Sequence, residues 1–455
     1  MIWSAASLSE ALNITVNPKI YGEEIQFNSN SVKEGDLFIA LSGNQDGHNY
    51  AMDALRQGAN AVIVMKEIDG LPKDKVILVE DTLEALYKMA EYKRKKSKAK
   101  FIGVTGSVGK TGTKDTIKII LQGLGKVFAS RGNFNNYLGV PINLASMPDD
   151  VEYAIFEMGM NKPGEIRNLS KMVRPEISLI TSISEAHLEF FDSVHSIVDA
   201  KSEIFEDMPK NGIAVIPLDN KYYGRILFNL EKFGVKNIYT FGRHDHADSR
   251  FKHYENLGKE VRLVYQIDSK EIEIKLPFVP IHYARNFSAV LLIVKLLGLD
   301  LNKAVLQFNN FELIDGRGKI KNVTKDEKNF QLICDYYNAN PESLAASLEY
   351  LKELDHHRKV AVIGDMLELG KSSMQLHLDL VQKIIDSGAK KVLLVGPNSS
   401  HIYNSLPDTI NKAHFENVDL LIAKLDELIE GDELILIKGS RGIKLDKIIQ
   451  YFTVV

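Results

Sequence analysis

The chain has 455 residues, 45% hydrophobic and 25% charged, with a net charge of −4 and a pI of about 6.3. That length exceeds one ordinary core and predicts two to four domains. The mild acidity excludes a global field that favours nucleic acid or an anionic membrane. The lone Cys334 excludes an intramolecular disulfide, fits a reducing cytoplasm, and continues an apolar strand, which makes it a poor candidate nucleophile.

The amino terminus, MIWSAASLSEALNI, lacks the basic n-region and apolar h-region of a signal peptide. Short strands are expected at 36–41 (DLFIAL), 61–65 (AVIVM) and 76–80 (VILVE), with helices between them, in a first α/β block over residues 1–97. The block ends in a basic run, KRKKSKAK at 93–100, which reads as a solvated helix end and linker, given the acidic net charge. In a second block, 98–312, the strands FIGVT, KVFAS, YAIFEMG, ISLITSI and GIAVIP alternate with helical or loop stretches. Such alternation argues a parallel sheet with helices on its faces. A hairpin (VRLVYQI and EIEIKLP) and a long amphipathic helix from about 283 close the block. The most apolar stretch, AVLLIVKLLGL at 289–299, is interrupted by Lys295 and too short to span a bilayer. The third block, 313–455, repeats the pattern with QLICDYY, KVAVIGDM, KVLLVG and ELILIKG, which suits a second doubly wound sheet.

Ligands of open parallel sheets sit at the carboxyl ends of the strands, and most polar motifs of this chain fall there. In FIGVTGSVGKT (101–111) an apolar strand breaks at Gly106 into a glycine-bearing loop, and Lys110-Thr111 open a helix. Loop amides and a helix N-terminus point at an anion in such an arrangement, the lysine adds a point charge, and the threonine hydroxyl can hold Mg²⁺. The spacing is the short G-x-x-G-K-T, because Val104 stands where the standard Walker loop has glycine. Glu157 ends a strand of the same sheet and is a natural Mg²⁺ ligand beside a phosphate loop; alone it would be a cap or surface group. His187, between Glu185 and Glu189, reads as structural or as part of a charged loop. Lys201 lies in DAKSEIFEDM, and its default reading is a surface lysine whose stem lies along the core. Arg317 within Gly-Arg-Gly could reach a phosphate bidentately, and Asn286 could read a purine edge or cap a helix. In DYYNANPESLAASL, Pro341 marks a first helical turn, while Asn338 and Asn340 suit either turns or binding.

Taken together, these segments resemble the Mur ligases, the ATP-dependent amide-forming enzymes of peptidoglycan assembly. The likeness runs through all three blocks. The first holds GDLFIALSGNQDGHNYAMDALRQGANAVIV (35–64), the second TGSVGKT, GNFNNYLGVP (132–141), FEMGMNKPGEI (156–166), AHLEFF (186–191) and AKSEIF (200–205), and the third DGRG, DYYNANPES, VIGDMLELG (362–370) and IKGSRG (437–442). The resemblance implies an α/β fold of three domains: a small uridine-nucleotide domain, a central P-loop ATPase-type sheet and a Rossmann-like carboxy-terminal domain. Within the family it points to the branch that adds D-alanyl-D-alanine to UDP-MurNAc-tripeptide through an acyl phosphate, with ADP and phosphate as products. A monomeric cytoplasmic enzyme is expected, with no nucleic-acid or membrane partner. The alternatives are another Mur or folylpolyglutamate-type ligase, or a P-loop phosphotransferase or nucleotide-binding regulator.

By the same resemblance ATP is bound by Gly106, Ser107, Val108, Gly109, Lys110, Thr111 and Gly112, with Asn286, Arg317 and Asp335 at the adenine, a phosphate and the ribose. Two Mg²⁺ ions fall to Thr111, Glu157, His187 and Lys201, and Lys201 is expected as a carbamate. Lys110, Lys201, His187 and Glu157 are the expected catalytic residues. The nucleotide-peptide substrate is assigned to Ser29, Asp46, Gly47, His48, Asn135 and Asn136. Three positions depart from the family pattern: Asn28-Ser29-Asn30 replaces D-S-R near the uracil, Tyr283 follows His282 where asparagine is usual, and Tyr137 replaces an acid.

Overall fold

The structure is a computed structural model that describes residues 1–453 apart from Asn44, His187 and Lys259. Three large sheets carry it. The amino-terminal one has four parallel strands, Ile25–Gln26, Leu37–Ile39, Ala61–Val64 and Val76–Leu78, paired in that order. Their short apolar runs are buried on both faces, as parallel strands require.

The helix Thr82–Lys96 leads out of this sheet, opened by Asp81, whose carboxylate accepts the Glu84 amide at 2.8 Å. Its basic end departs from the solvated linker expected from composition. Lys93 is buried and its ammonium donates to the Ile2 carbonyl at 2.8 Å and to Asp149 at 2.6 Å. Arg94 donates to the carbonyls of Val173 and Arg174 and lies 3.9 Å above the Phe101 ring. Only Lys95 and Lys96 of the run's first four residues form exposed pairs, with Glu91 and Glu10. The cause is helical phase: Lys93 continues the buried stripe of Leu86, Met89 and Ala90, so its stem joins the core and its head finds a carbonyl.

The central sheet has nine strands. From one edge they run Lys270–Pro277, Glu260–Ile267, Ser249–Asn256, Asn237–Gly242, Ile213–Pro217, Ile177–Ile180, Lys100–Thr105, Tyr153–Glu157 and Val127–Ala129. The six pairings from Ser249–Asn256 across to Val127–Ala129 are parallel, and the expected hairpin is present, in register from Glu260↔Pro277 to Ile267↔Lys270. It pairs further with Ser249–Asn256, a strand whose charged sequence gave no signal. The strand Lys100–Thr105 sits between Ile177–Ile180 and Tyr153–Glu157, where the chain order reverses, which is where a doubly wound sheet opens a crevice. Helix Ile281–Leu296 packs across this sheet as the apolar spine of one core layer.

The carboxy-terminal sheet has six strands in the order Lys319–Lys325, Lys328–Cys334, Glu433–Lys438, Lys359–Gly364, Lys391–Val395 and Asn411–Phe415. All pairings are parallel except the first hairpin. Apolar clusters cover both faces. Among the described residues no helix is long and apolar enough to cross a membrane.

Replacing Lys93 by alanine should lower the unfolding free energy by about 1–2 kcal/mol, because the Ile2 carbonyl loses its charged donor and a buried stem is removed. The Lys95→Ala change, at an exposed i,i+4 pair, should cost less than about 0.5 kcal/mol. Urea titration followed by circular dichroism distinguishes the two.

Candidate active site

A single cleft gathers the loop after Lys100–Thr105, the end of Tyr153–Glu157, the start of helix Ile281–Leu296 and the near edge of the carboxy-terminal sheet. The loop is shaped by two glycines. Gly106 has φ of 151°, and a Cβ there would lie 2.0 Å from the Thr181 hydroxyl; Gly109 has φ of 84°, and a Cβ there would lie 2.5 Å from Asn286 Nδ2. Its turn is pinned by the Ser107 amide donating to the Ser182 carbonyl at 2.8 Å and by Thr181 Oγ1 donating to the Val108 carbonyl at 2.6 Å. The helix Lys110–Gln122 then begins, and its first ladder bond runs from Thr113 to Gly109. The amides of Gly109, Lys110, Thr111 and Gly112 donate to nothing among the described residues. Four convergent donors at a helix N-terminus fit a polyphosphate.

Lys110 folds back so that its ammonium donates to the Gly106 carbonyl at 2.7 Å. Burial holds its pKa below the ordinary lysine value; Glu157 opposes that shift and Arg317 adds to it. Thr111 Oγ1 donates to Glu157 Oε2 at 2.7 Å, and Asn135 Nδ2 donates to Glu157 Oε1 at 2.7 Å. Glu157 is buried, and the surface or cap reading of a strand-end acid does not apply. A hydroxyl and a carboxylate at contact distance, facing the phosphate loop, are the hard oxygen donors that Mg²⁺ prefers, and the ion keeps several waters and takes the rest from phosphate. Among the described residues no three His, Cys, Asp or Glu side chains stand together as a self-sufficient metal site.

Lys201 lines the same cleft and is buried, in contrast to the surface position its helix pattern suggests. Among the described residues no hydrogen bond or ion pair reaches its amine. Burial, and secondarily the Lys110 charge, hold its pKa well below the ordinary value. His187 lies outside the described residues.

The helix Ile281–Leu296 presents His282, Tyr283 and Asn286 to the cleft. Asn286 sits on the second helical turn, which removes the capping alternative, and its amide rests against Gly109. His282 is half-buried, its buried Nδ1 has no partner among the described residues, and desolvation brings its pKa down to about 4. Tyr283 packs on Gly112, where a Cβ would come within 2.8 Å of the ring, and its hydroxyl donates to the Arg317 carbonyl at 3.2 Å. From the carboxy-terminal side, Arg317 lies between Gly316 (φ 76°) and Gly318 (φ 95°) with its guanidinium 4.2 Å above the Tyr337 ring. Asp335 accepts from Ser347 Oγ at 2.5 Å and pairs with Lys438 at 3.1 Å. Lys438 also donates to the Asn338 carbonyl at 2.8 Å. Sequence reasoning singled out neither Lys438 nor Tyr337 as site residues; their segments, IKGSRG and DYYNANP, were visible, but not which of their members face the cleft.

The residues assigned to the nucleotide-peptide substrate behave differently. His48 is buried; its Nδ1 meets Asp46 Oδ1 at 2.5 Å and its Nε2 accepts the Met65 amide at 3.1 Å, so both ring nitrogens are engaged internally. Lys66 and His48 together hold the Asp46 carboxyl well below the usual carboxylate range. Gly47 is pressed against the Leu41 backbone, with room for no side chain. This trio braces the loop after Leu37–Ile39. Ser29 is buried, opening a short helical turn capped by Asn28. Asn136 accepts from the amides of Leu138 and Gly139, which fixes the entry to helix Gly139–Ala145. Asn135 alone of the six lines the nucleotide cleft.

A phosphate loop, an acid on the neighbouring strand and a second domain closing on them define a nucleotide-dependent enzyme of the P-loop type. Residues 104–294 match the Mur ligase middle domain, and residues 320–441 match the Mur ligase, glutamate ligase domain. The chain is 52% identical over 452 residues to the UDP-N-acetylmuramoyl-tripeptide--D-alanyl-D-alanine ligase of Rickettsia prowazekii, covering 99% of this chain and all of that protein. It is 31% identical to the enzyme of the same name from Escherichia coli, over 98% of both chains. The crystal structure of MurF from Acinetobacter baumannii superposes with a TM-score of 0.84 at 29% identity, over 98% of both chains. That of MurF ligase from Thermotoga maritima in complex with ADP does so with 0.78 at 27% identity, over 94% and 96%. The chain belongs to the Mur ligase family and has its three-domain fold.

Gly106→Ala should raise the ATP dissociation constant at least tenfold by calorimetry, because the loop cannot keep its shape with a Cβ against Thr181. The His282 imidazole should stay neutral down to about pH 4, seen by NMR as a ring resonance that titrates there and vanishes in His282→Gln. Since its pKa is depressed by folding, this histidine's contribution to stability is present above about pH 6.5 and is lost as pH falls toward 4.

Proposed function

We propose that this chain is the ATP-dependent ligase that joins D-alanyl-D-alanine to UDP-MurNAc-tripeptide in the cytoplasm. The observation that carries this reading is full-length identity of 52% to a ligase of that name, together with a cleft whose donors suit a triphosphate. In this reading residues 1–97 bind the uridine-nucleotide end of the substrate, 98–312 bind ATP, and 313–455 close the site.

The chemistry follows from what a carboxylate cannot do: as an anion it resists attack by an amine. A carboxylate oxygen of the tripeptide attacks the γ-phosphorus, the bond to the bridging oxygen breaks, and ADP leaves. The amine of D-alanyl-D-alanine then attacks the acyl carbon, phosphate departs, and the amine proton is lost. Little covalent work falls to the protein; positioning and charge neutralisation dominate. The amides of residues 109–112 and the Lys110 ammonium bind the β- and γ-phosphates. Arg317 approaches a phosphate from the hinge, and Asp335, held by Ser347 and Lys438, faces the ribose. Asn286 and the neutral His282 border the adenine. Thr111, Glu157 and a carbamate on Lys201, with His187, would hold Mg²⁺, which when bound neutralises charge on the phosphoryl oxygens. Burial disfavours the charged form of the Lys201 amine and so favours its addition to CO₂; the N–C bond forms and a proton departs, turning a repelling cation into an anionic oxygen donor. The carboxy-terminal domain excludes water that would hydrolyse the acyl phosphate.

Lys110→Ala should reduce turnover by on the order of 10³-fold, read as phosphate release that requires both nucleotide-peptide and dipeptide. Phosphate release indifferent to D-alanyl-D-alanine would refute ligation. Protein equilibrated with ¹³C-bicarbonate should give a carbamate ¹³C resonance that is absent in Lys201→Ala.

A further inference from the structure

The segment after strand Ile177–Ile180 runs between the phosphate loop and the carboxy-terminal domain and is bonded to both. On the loop side, the Ser107 amide donates to the Ser182 carbonyl at 2.8 Å and the Ser184 amide to Ser107 Oγ at 3.0 Å. The Val108 amide donates to Ser182 Oγ at 3.2 Å. On the other side, the Glu189 amide donates to the Glu368 carbonyl at 3.0 Å. Gly370, with φ of 57°, lies so near that a Cβ there would come within 3.2 Å of Glu189 Cα. A cavity of about 470 Å³, lined in part by Ile183, Glu342 and Lys383, separates the domains beside these contacts, so they meet here through a few polar ties and not a packed core.

The Ser182 hydroxyl stands at the junction. It has one proton and two acceptors within reach: the Val108 carbonyl of the phosphate loop at 3.4 Å, and Glu342 Oε2 of the carboxy-terminal domain at 3.3 Å. A hydrogen bond to a carboxylate is roughly twice as strong as one to a neutral carbonyl, so Glu342 takes the proton when it is in place. The Val108 carbonyl loses little, because it already accepts Thr181 Oγ1 at 2.6 Å. A hydroxyl that donates to an anion is also a better acceptor, and the bond from the Val108 amide tightens with it. Glu342 itself springs from a fixed root, the first turn of helix Pro341–Glu353. That turn opens with Pro341 and with Asn340, whose side chain accepts the Ser343 amide at 2.8 Å. Asn340 and Ser343 line the nucleotide cleft, so the turn moves only as the cleft opens or closes.

We infer that Glu342 is a positioning residue for phosphoryl transfer in the ligase reading, on which this inference rests. With the carboxy-terminal domain over the nucleotide, Glu342 draws the Ser182 hydroxyl to itself and fixes the Val108 turn of the phosphate loop for the chemical step. With the domain away, the hydroxyl turns to the Val108 carbonyl, and the loop holds ATP without being set for transfer.

The test combines kcat, from phosphate release at saturating ATP, nucleotide-peptide and D-alanyl-D-alanine, with the dissociation constant of ATP alone by calorimetry. Glu342 is exposed and Ser182 half-buried, so both positions tolerate truncation. Glu342→Ala should lower kcat about tenfold, Ser182→Ala by a similar factor, and the double variant no further than either single one. Glu342→Gln, which keeps an oxygen acceptor at the same reach, should recover part of the loss. The ATP dissociation constant should stay within about twofold of native throughout. Native turnover in Glu342→Ala overturns the inference. So do losses that multiply in the double variant, the result expected if Glu342 only stabilises its own helix end. An ATP affinity that falls in step with kcat overturns it too, because the hydroxyl would then serve binding and not transfer. A native enzyme whose phosphate release ignores D-alanyl-D-alanine fails the ligase reading before any variant is made, and the inference falls with it.

Discussion

The hydrogen bond from Thr111 to Glu157 joins the first turn of the phosphate-loop helix to the end of the neighbouring strand, and the rest of the site is arranged around it. It exists because Lys100–Thr105 and Tyr153–Glu157 pair in parallel register, Val104 opposite Glu157, so that loop and acid emerge at one level. A shift of that register by one residue would turn Glu157 to the opposite face and leave the threonine facing an apolar residue. Asn135 then takes the other carboxylate oxygen, and so ties the segment that also carries Asn136 to the same point.

Around this pair the cleft is crowded with cations. Lys110, Lys201, Arg317 and Lys438 all line it, against Glu157 and Asp335. Concentrated positive charge of this kind suits a polyanion; burial first, and the neighbouring cations second, lower the pKa values of Lys110, Lys201 and Lys438. Lys438 differs from Lys201 in having an anion at hand, Asp335, which opposes the shift. Two buried lysines in one cleft thus differ: one is an ion-pair partner of Asp335, the other an amine with no ion pair among the described residues.

Much of this was legible in the chain itself. Glycine at 106 and 109 with lysine and threonine following could be read because the chemistry is local, and local spacing is what a sequence displays. Strand alternation likewise gave the parallel sheets, since period and apolar runs are written along the chain. Lys201 was not legible from its helix: a lysine beside Ile204 and Phe205 looks like a surface residue until the opposite wall is known, and only the resemblance to a family singled it out. Lys438 and Tyr337 reach the cleft from another domain, a long-range fact with no local signature. The charged strand Ser249–Asn256 and the buried Lys93 were hidden for a related reason, because pairing or burial overrode composition. The D-G-H segment was visible as a motif, but its internal bonding was not.

The cleft also ties the carboxy-terminal domain to the phosphate loop through Tyr283. Arg317 sits between two glycines of left-handed conformation, and its carbonyl is tied by the Tyr283 hydroxyl to a ring lying on Gly112 of the phosphate-loop helix. Tyr283 is itself wedged against Phe287 and Phe311, within the core of the central domain. The hinge is therefore registered against the nucleotide loop by one neutral hydrogen bond, worth about 1 kcal/mol, and by an aromatic contact. That is weak enough to break as the domains separate and specific enough to return the guanidinium to one place. A stronger tie, such as a buried ion pair, would hold the arginine as well but would resist opening, and an enzyme that must release ADP and a bulky product needs both states.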